Sequence, residues 1–485
     1  MRDFEVHFDD VSPLTNDLTG QSSWHSHPVI PAKRYRHPHR RRLLQAATPA
    51  HSPGTGRWGT RTQLAGGLRG GQPCRTSASR LGADGGLPRH VTALIDRPGN
   101  PLPSHGARLL AMRLIMLLIV LGAIEGSATL ICRLVIAPHA PFLVFATDLE
   151  QVRRSWATEA TVKDQELVWS TDPTVLPRDH SGAKYNPDFP DPKNACASAY
   201  GDSFVWGEDI PLADGWVEQL SRLLGCRVAN YGVSGYGTDQ AYLRFRRTPD
   251  DEAPLVMLGI FPENIVRNVN QYRGFLGWPQ EPLGIKGRFI LGEDGMPEWV
   301  PRPRLGPDEF VAMHRTPEKY LPHDYLLPDS RDGPVTMRFP YAWTLARIMF
   351  MPRIRARLQG WPAWRDYYAA DHPSGALAVT IAIAEAFDRE ARQRGKRALV
   401  VMLPSASSFR GRARHGEFEY APLVAALRTA GVDVLDGGDA FLAALNGRSY
   451  CALFSQPTHC EGHYGHEGSA ILAEVVAAEL RRRVP

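Results

Sequence analysis

The sequence predicts an α/β fold of three layers, a parallel sheet between two layers of helices, standing behind a single apolar helix. From about residue 196, short apolar runs alternate with amphipathic segments, the pattern of parallel strands joined by crossover helices. Residues 114–132, LIMLLIVLGAIEGSATLIC, carry one charge, Glu125. At about 1.5 Å per residue that run just spans a hydrocarbon core of about 30 Å.

The chain divides into a basic leader (1–111), an anchor (112–136), a stalk (137–190) and a body (191–485) with an insertion at about 271–364. Residues 1–108 hold 15 Lys+Arg against 7 Asp+Glu, so the net charge of +5 leaves about −3 for everything after them. The leader is rich in Arg, His, Pro, Gly and Ser without helical or strand period, which predicts disorder. Its run KRYRHPHRRR at 33–42 reads either as an RNA or anionic-lipid patch or as part of an over-extended reading frame whose true start is Met112. The body carries no basic excess and gives no reason to expect nucleic-acid binding.

Residues 114–124 followed by Gly126-Ser127-Ala128 also fit a cleaved signal peptide. The apolar pattern resumes after Glu125, which favours an uncleaved single-pass anchor, and an intramembrane Glu calls for a partner. Arg113 and the basic leader put the N-terminus inside, so the body is expected on the extracytoplasmic side of a bacterial-type inner membrane. Cys196, Cys226, Cys451 and Cys460 lie in that body, an even number in an oxidising compartment. No CxxC or HxxxH pair accompanies them, so their spacing is not a metal pattern, and Cys451 and Cys460 are expected to pair across a short loop.

Within the body, strands are expected at 195–200, 226–230, 255–260, 398–403 and 432–435. Helices are expected from about 214 (Trp216, Val217, Leu220, Leu223 and Leu224 on one face), at 238–247, 374–394, 422–430 and 466–482. The insertion is full of Pro, Gly, aromatic and Arg residues; it suggests a hairpin about Asp294-Gly295 and a helix over 341–358.

Catalytic groups in open α/β sheets gather at the carboxyl ends of strands. Four loops there stand out: Gly201-Asp202-Ser203-Phe204, then NYGVSGYGT at 230–238, then Phe261-Pro262-Glu263-Asn264, and Glu461-Gly462-His463-Tyr464 before the last helix. Together they resemble blocks I, II, III and V of the SGNH hydrolases, the GDSL-like lipases and acylhydrolases, over about 195–482. The resemblance implies the flavodoxin-like SGNH fold and an ester-cleaving serine enzyme that works without metal or organic cofactor. It implies Ser203 as nucleophile and His463 as the base that takes its proton. The backbone N–H groups of Ser203 and Gly235 and the side-chain amide of Asn264 would stabilise the oxyanion.

Two departures stand out. Three positions before His463, where the family has Asp, stands Cys460; Glu461 gives an acid-x-His arrangement similar to the alginate-acetylation branch and is the candidate to orient His463. Block III lacks the acid that follows Asn in GxND. The segment RNVNQYR, with Arg267, Asn268, Asn270, Gln271, Tyr272 and Arg273, reads equally as a substrate-contacting surface or as a capped helix with solvated faces.

The expectation is an extracytoplasmic esterase acting on O-acylated carbohydrate or lipid. A sugar acetyl group is preferred because the insertion is polar and basic and shows no long apolar strip. An O-acetyltransferase would use the same residues; a catalytically silent envelope scaffold is the rival from another class.

Overall fold

The computed structural model of the protein describes residues 105–145, 178–276 and 284–483, with scattered positions between 150 and 168. The leader before residue 105 and most of the stalk lie outside them. Chain contacts divide the protein into Met1–Ser23 with Met112–Pro485, and Trp24–Ala111. Of the second unit only the start of one helix is described; the sheet and its covering helices belong to the first.

That helix, α1 (His105–Leu130), runs on through π-helical turns at Ile131–Ile136 and a last turn at Ala137–His139. Over its full length, His105–His139, it is long and apolar enough to cross a membrane.

The central sheet contains β1 (Ala197–Tyr200), β2 (Val228–Asn230), β3 (Leu255–Ile260), β4 (Arg397–Met402) and β5 (Val434–Asp436). Its order is β2-β1-β3-β4-β5 and every pair is parallel. Ala197 stands opposite Val228, Ser198 opposite Val256, Leu255 opposite Arg397 and Val400 opposite Val434. All residues of β1 and β3 are buried. These strands are covered on both faces and therefore read as continuous apolar runs rather than alternating ones.

The covering helices are α2 (Trp216–Leu224), α3 (Thr238–Arg246), α4 (Ala376–Gln393), α5 (Ala421–Thr429) and α6 (His466–Arg483). α2 packs on α6, whereas α4 packs on α3 and α5, which gives the two outer layers. In α4 the residues Ala376, Thr380, Ile383, Phe387 and Ala391 form the buried stripe expected of an amphipathic helix. The expected Leu223 of α2 is 41% exposed, at the margin of its buried face.

Several boundaries differ from expectation for local reasons. The helix expected over 341–358 is two, Tyr341–Met349 and Pro352–Leu358. Pro352 has no N–H to continue the first, and its fixed φ suits the first turn of the second. The hairpin forms as expected from Arg288–Leu291 and Pro297–Val300, with Gly295 at φ +75° in its turn.

Two parts of the expected stalk are packed structure instead. Lys184 N donates to Asn230 O at 2.7 Å, and Arg178 Nη2 to Gly232 O at 3.3 Å, so residues 178–186 line the β2 edge of the body. The reason is Lys184, which is buried and needs partners: Glu218 at 3.4 Å and the Trp206 carbonyl at 2.7 Å. Val144–Phe145 pairs with Val335–Thr336, and Phe142, Leu143 and Val144 share a small core with Cys132, Ile348 and Met351. The insertion is also not uniformly polar on its surface: Phe339, Trp343, Met349, Phe350 and Leu358 face outward.

Candidate active site

β1 lies between β2 and β3, so the carboxyl ends of β1 and β3 flank the point where the strand order reverses, where crevices open in such sheets. Ser203 sits there, 6% exposed, as the first residue of a one-turn helix, Ser203–Trp206. Asp202 caps that turn by accepting from Phe204 N at 3.0 Å. A Cβ on Gly201 would stand 2.2 Å from Val205 Cγ2 and 3.1 Å from Gly259 O, so only glycine lets the turn lie this close to the sheet. Trp216 Nε1 donates to Phe204 O at 2.9 Å and Lys184 to Trp206 O, which fixes the carbonyl end of the turn.

His463 arrives on a hairpin of β6 (Phe454–Gln456) and β7 (Glu461–Tyr464). Disulfides join Cys451, just before the hairpin, to Cys460 in its turn, and Cys196 to Cys226 just before β1 and β2. Tyr464 OH donates to Pro404 O at 2.9 Å, and the His463 ring lies 4.8 Å from that of Phe204. The hairpin thereby places His463 Nε2 2.9 Å from Ser203 Oγ. Of the two histidines nearest in sequence, His459 contacts Thr458, and His466 is exposed with Asp214 4.0 Å away.

The acid on the far side of the ring is Asp209, not Glu461. Asp209 Oδ2 accepts from His463 Nδ1 at 2.9 Å, and also from His463 N and Ser455 Oγ, each at 3.1 Å. Gly462 separates Glu461 from His463 with φ +88°, which breaks the alternation that would otherwise set both on one face. A Cβ on Gly462 would meet Ser455 Oγ at 2.1 Å and Asp209 Oδ2 at 3.2 Å, so the hairpin closes directly on the acid. Asp209 itself holds φ +68°, an unusual backbone for a residue with a side chain.

The electrostatics follow from these contacts. Burial raises the Asp209 carboxyl, but the hydrogen bond and charge of His463 outweigh that and hold it down at about 2. Burial lowers His463, yet the Asp209 hydrogen bond and the charges of Glu208, Asp209 and Asp202 carry it above its ordinary value of 6.5. A carboxylate on Nδ1 requires the proton there, which leaves Nε2 free to accept from Ser203. Glu208 Oε2 lies 3.7 Å from Nε2 and accepts from Ser234 Oγ at 2.8 Å. Burial pushes Asp202 up, against the opposing Arg267 charge, and the nearby Asn264 amide favours its ionised form.

A base must be neutral to accept a proton, and a raised pKa moves that condition to higher pH. The kcat/KM of an ester cleaved here is therefore expected to rise with pH through a midpoint above 6.5, and Asp209→Asn to move that midpoint down. A pH–rate profile of both proteins checks it.

The three candidate oxyanion donors come from the ends of adjacent strands β1, β2 and β3. No backbone carbonyl among the described residues accepts from the N–H of Ser203 or Gly235. Gly235 has φ +78°. Asn264 is 1% exposed; Asp202 is the polar group beside its amide, but neither Nδ2 nor Oδ1 makes a well-formed hydrogen bond. A buried amide without a partner is costly unless the reaction supplies one. Asn264→Ala is expected to lower kcat by roughly 100- to 1,000-fold while leaving the melting temperature near that of the parent, which steady-state kinetics and a thermal melt check together.

The RNVNQYR segment is neither a contact surface nor solvated. Arg267, Asn268, Asn270, Gln271 and Arg273 are buried. Arg273 Nη2 donates to Gly235 O at 2.8 Å and Arg267 Nη1 to Tyr236 O at 3.0 Å, so two guanidinium groups fasten the Gly235 loop from below. Asn268 accepts from Asp239 N and donates to Thr380, and Asn270 donates to Asp324.

No protein-family model matches the chain, and no curated protein does. Among solved structures it is similar to a member of the lipolytic protein G-D-S-L family from Veillonella parvula, at 11% identity and a TM-score of 0.29, covering 59% of this chain and 98% of that one. It is similar also to a catalytic mutant of an acetylxylan esterase from Geobacillus stearothermophilus, at 12% identity and a TM-score of 0.31, covering 59% of this chain and 93% of that one. At such identities no residue role passes from these proteins to this one, and the roles considered for Ser203, His463 and Asp209 rest on their own geometry.

Proposed function

We propose that the chain is a serine esterase of the SGNH type, acting through an acyl-Ser203 intermediate on O-acylated carbohydrate or lipid. One observation carries the reading: His463 bridges Ser203 Oγ and Asp209 Oδ2 at 2.9 Å on each side. That arrangement is the nucleophile, base and orienting acid of acyl transfer.

Ser203 Oγ attacks the acyl carbonyl carbon as its proton passes to His463 Nε2, and the carbonyl oxygen becomes an oxyanion facing Ser203 N–H, Gly235 N–H and Asn264 Nδ2. Collapse expels the alkoxide, which takes the proton from Nε2 and leaves Ser203 acylated. Water then enters, gives its proton to Nε2, and attacks the acyl carbon; the second collapse releases the carboxylic acid and returns the proton to Ser203 Oγ. Asp209 stays ionised throughout and stabilises the imidazolium. A sugar hydroxyl in place of water would complete a transfer by the same steps.

The apolar helix α1 supports a membrane-tethered protein, and the two disulfides fit an oxidising, extracytoplasmic compartment. The test is acid release from p-nitrophenyl acetate, p-nitrophenyl palmitate and a per-O-acetylated monosaccharide by the purified full chain. Turnover of the acetyl esters ahead of the palmitate is expected. No turnover of any of the three, with or without a sugar acceptor, would overturn the enzymatic reading.

A further inference from the structure

The insertion carries a helix pair whose polarity is inverted for a surface in water. In Tyr341–Met349 and Pro352–Leu358 two arginines turn toward the protein, Arg347 pairing with Asp329 and Arg353 Nη2 donating to the Asp332 carbonyl at 2.8 Å, while Arg355 is exposed. Most of the exposed positions on and just before the pair are apolar, with Phe339 76%, Trp343 62%, Met349 58%, Phe350 85% and Leu358 67% exposed. Trp343 and Phe350, seven positions apart, fall on one face of the first helix, and Phe339 lies exposed just before its start. A helix on a water-facing surface shows the reverse arrangement.

This stripe continues the exposed apolar surface of α1. Glu125 accepts from the backbone N–H of Tyr341, and from that of Ala342 at 3.0 Å, so it caps the helix Tyr341–Met349. Arg133 Nη2 donates to Tyr341 OH at 2.9 Å. Between the two helices runs a groove of about 620 Å³, lined among others by Ile124, Ala128, Ile131, Ala346 and Phe350. Glu125 lies within the apolar run 114–132, about 10 Å from its body-side end at the helical rise. A carboxylate at that depth needs donors, and the N-terminus of a second helix supplies two together with a favourable dipole.

We infer that the helix pair 341–358 is itself embedded in the bilayer, its stripe facing the acyl chains of the leaflet on the body's side and the groove against α1 filled by a lipid tail. Trp343 and the exposed Arg338 and Arg355 then approach the headgroup level, as aromatic and basic residues do at such boundaries. The catalytic site is held near the membrane as a result. Trp364 follows Leu358 by six positions, at most about 22 Å of extended chain, and its ring lies 5.9 Å from Phe261, which stacks on Phe204 beside Ser203. The inference rests on the reading of α1 as a membrane helix, and its test separates the two.

The full chain, carrying Cys74→Ser and Cys132→Ser, is reconstituted in nanodiscs of phosphatidylethanolamine and phosphatidylglycerol. A spin label is placed in turn at Leu118→Cys, Phe350→Cys and Glu293→Cys, and its relaxation by oxygen and by a water-soluble nickel chelate is compared. The expected result is oxygen-dominated relaxation at Leu118 and Phe350 and chelate-dominated relaxation at Glu293. Chelate-dominated relaxation at Phe350 with oxygen-dominated relaxation at Leu118 overturns the embedded pair and leaves the anchor standing. Chelate-dominated relaxation at both overturns the membrane reading as well.

Discussion

Replacing Ser203 by Ala, or His463 by Ala, is expected to lower kcat on p-nitrophenyl acetate by roughly 10⁴- to 10⁶-fold, and the double replacement to lower it little further. A serine hydroxyl is almost wholly protonated at neutral pH, so attack depends on a base that removes its proton as the bond forms. With either partner gone the other has nothing to do, and the two losses do not add. Both proteins are expected to remain folded: Ser203→Ala removes one hydrogen bond of about 1 kcal/mol, and His463 is held by its hairpin as well as by its ring contacts. Rates for the three variants, read beside their thermal melts, check the expectation.

Asp209→Asn is expected to cost roughly 10³- to 10⁴-fold in kcat, whereas Glu461→Gln leaves the rate close to that of the parent. An asparagine can still meet Nδ1 with its amide, but it carries no charge to stabilise the imidazolium and permits the wrong tautomer. Asp209 is the only carboxylate on Nδ1 among the described residues, and its Oδ2 gathers three donors. The paired kinetics of the two variants decide between the acid found in space and the one suggested by position along the chain.

That contrast also marks how far the sequence could be read. β3 and β4 were legible because strands buried on both faces leave unbroken apolar runs, and α2 and α4 because they keep a helical stripe. The helices Ala406–His415 and Gly437–Leu445 left no such trace: the first is polar and Arg-rich, and its signal is the Ser405 cap on Ser408 N. The second opens with two glycines that read as a turn.

At the candidate site, Ser203 could be singled out because it follows a strand in a recognisable loop, and His463 because it stands just before the last helix. Asp209 could not, since it sits in an acidic doublet after a one-turn helix, and only its left-handed backbone and the return of the β6–β7 hairpin bring it to the ring. A trace existed in Glu208-Asp209, two acids placed a few residues beyond the candidate nucleophile. The RNVNQYR segment misleads in the opposite sense: its polar residues suit a substrate surface by type, but burial turns them inward to fasten the Gly235 loop.

Whether Ser203 is a nucleophile activated by His463 is tested most directly by reaction with a fluorophosphonate probe. The purified full chain is treated with the probe, digested, and its peptides weighed by mass spectrometry beside those of the His463→Ala protein. A single phosphonylated peptide containing Ser203 is predicted in the parent, and its loss in the variant. An unmodified Ser203 in a folded parent protein, or labelling that persists without His463, would contradict that role.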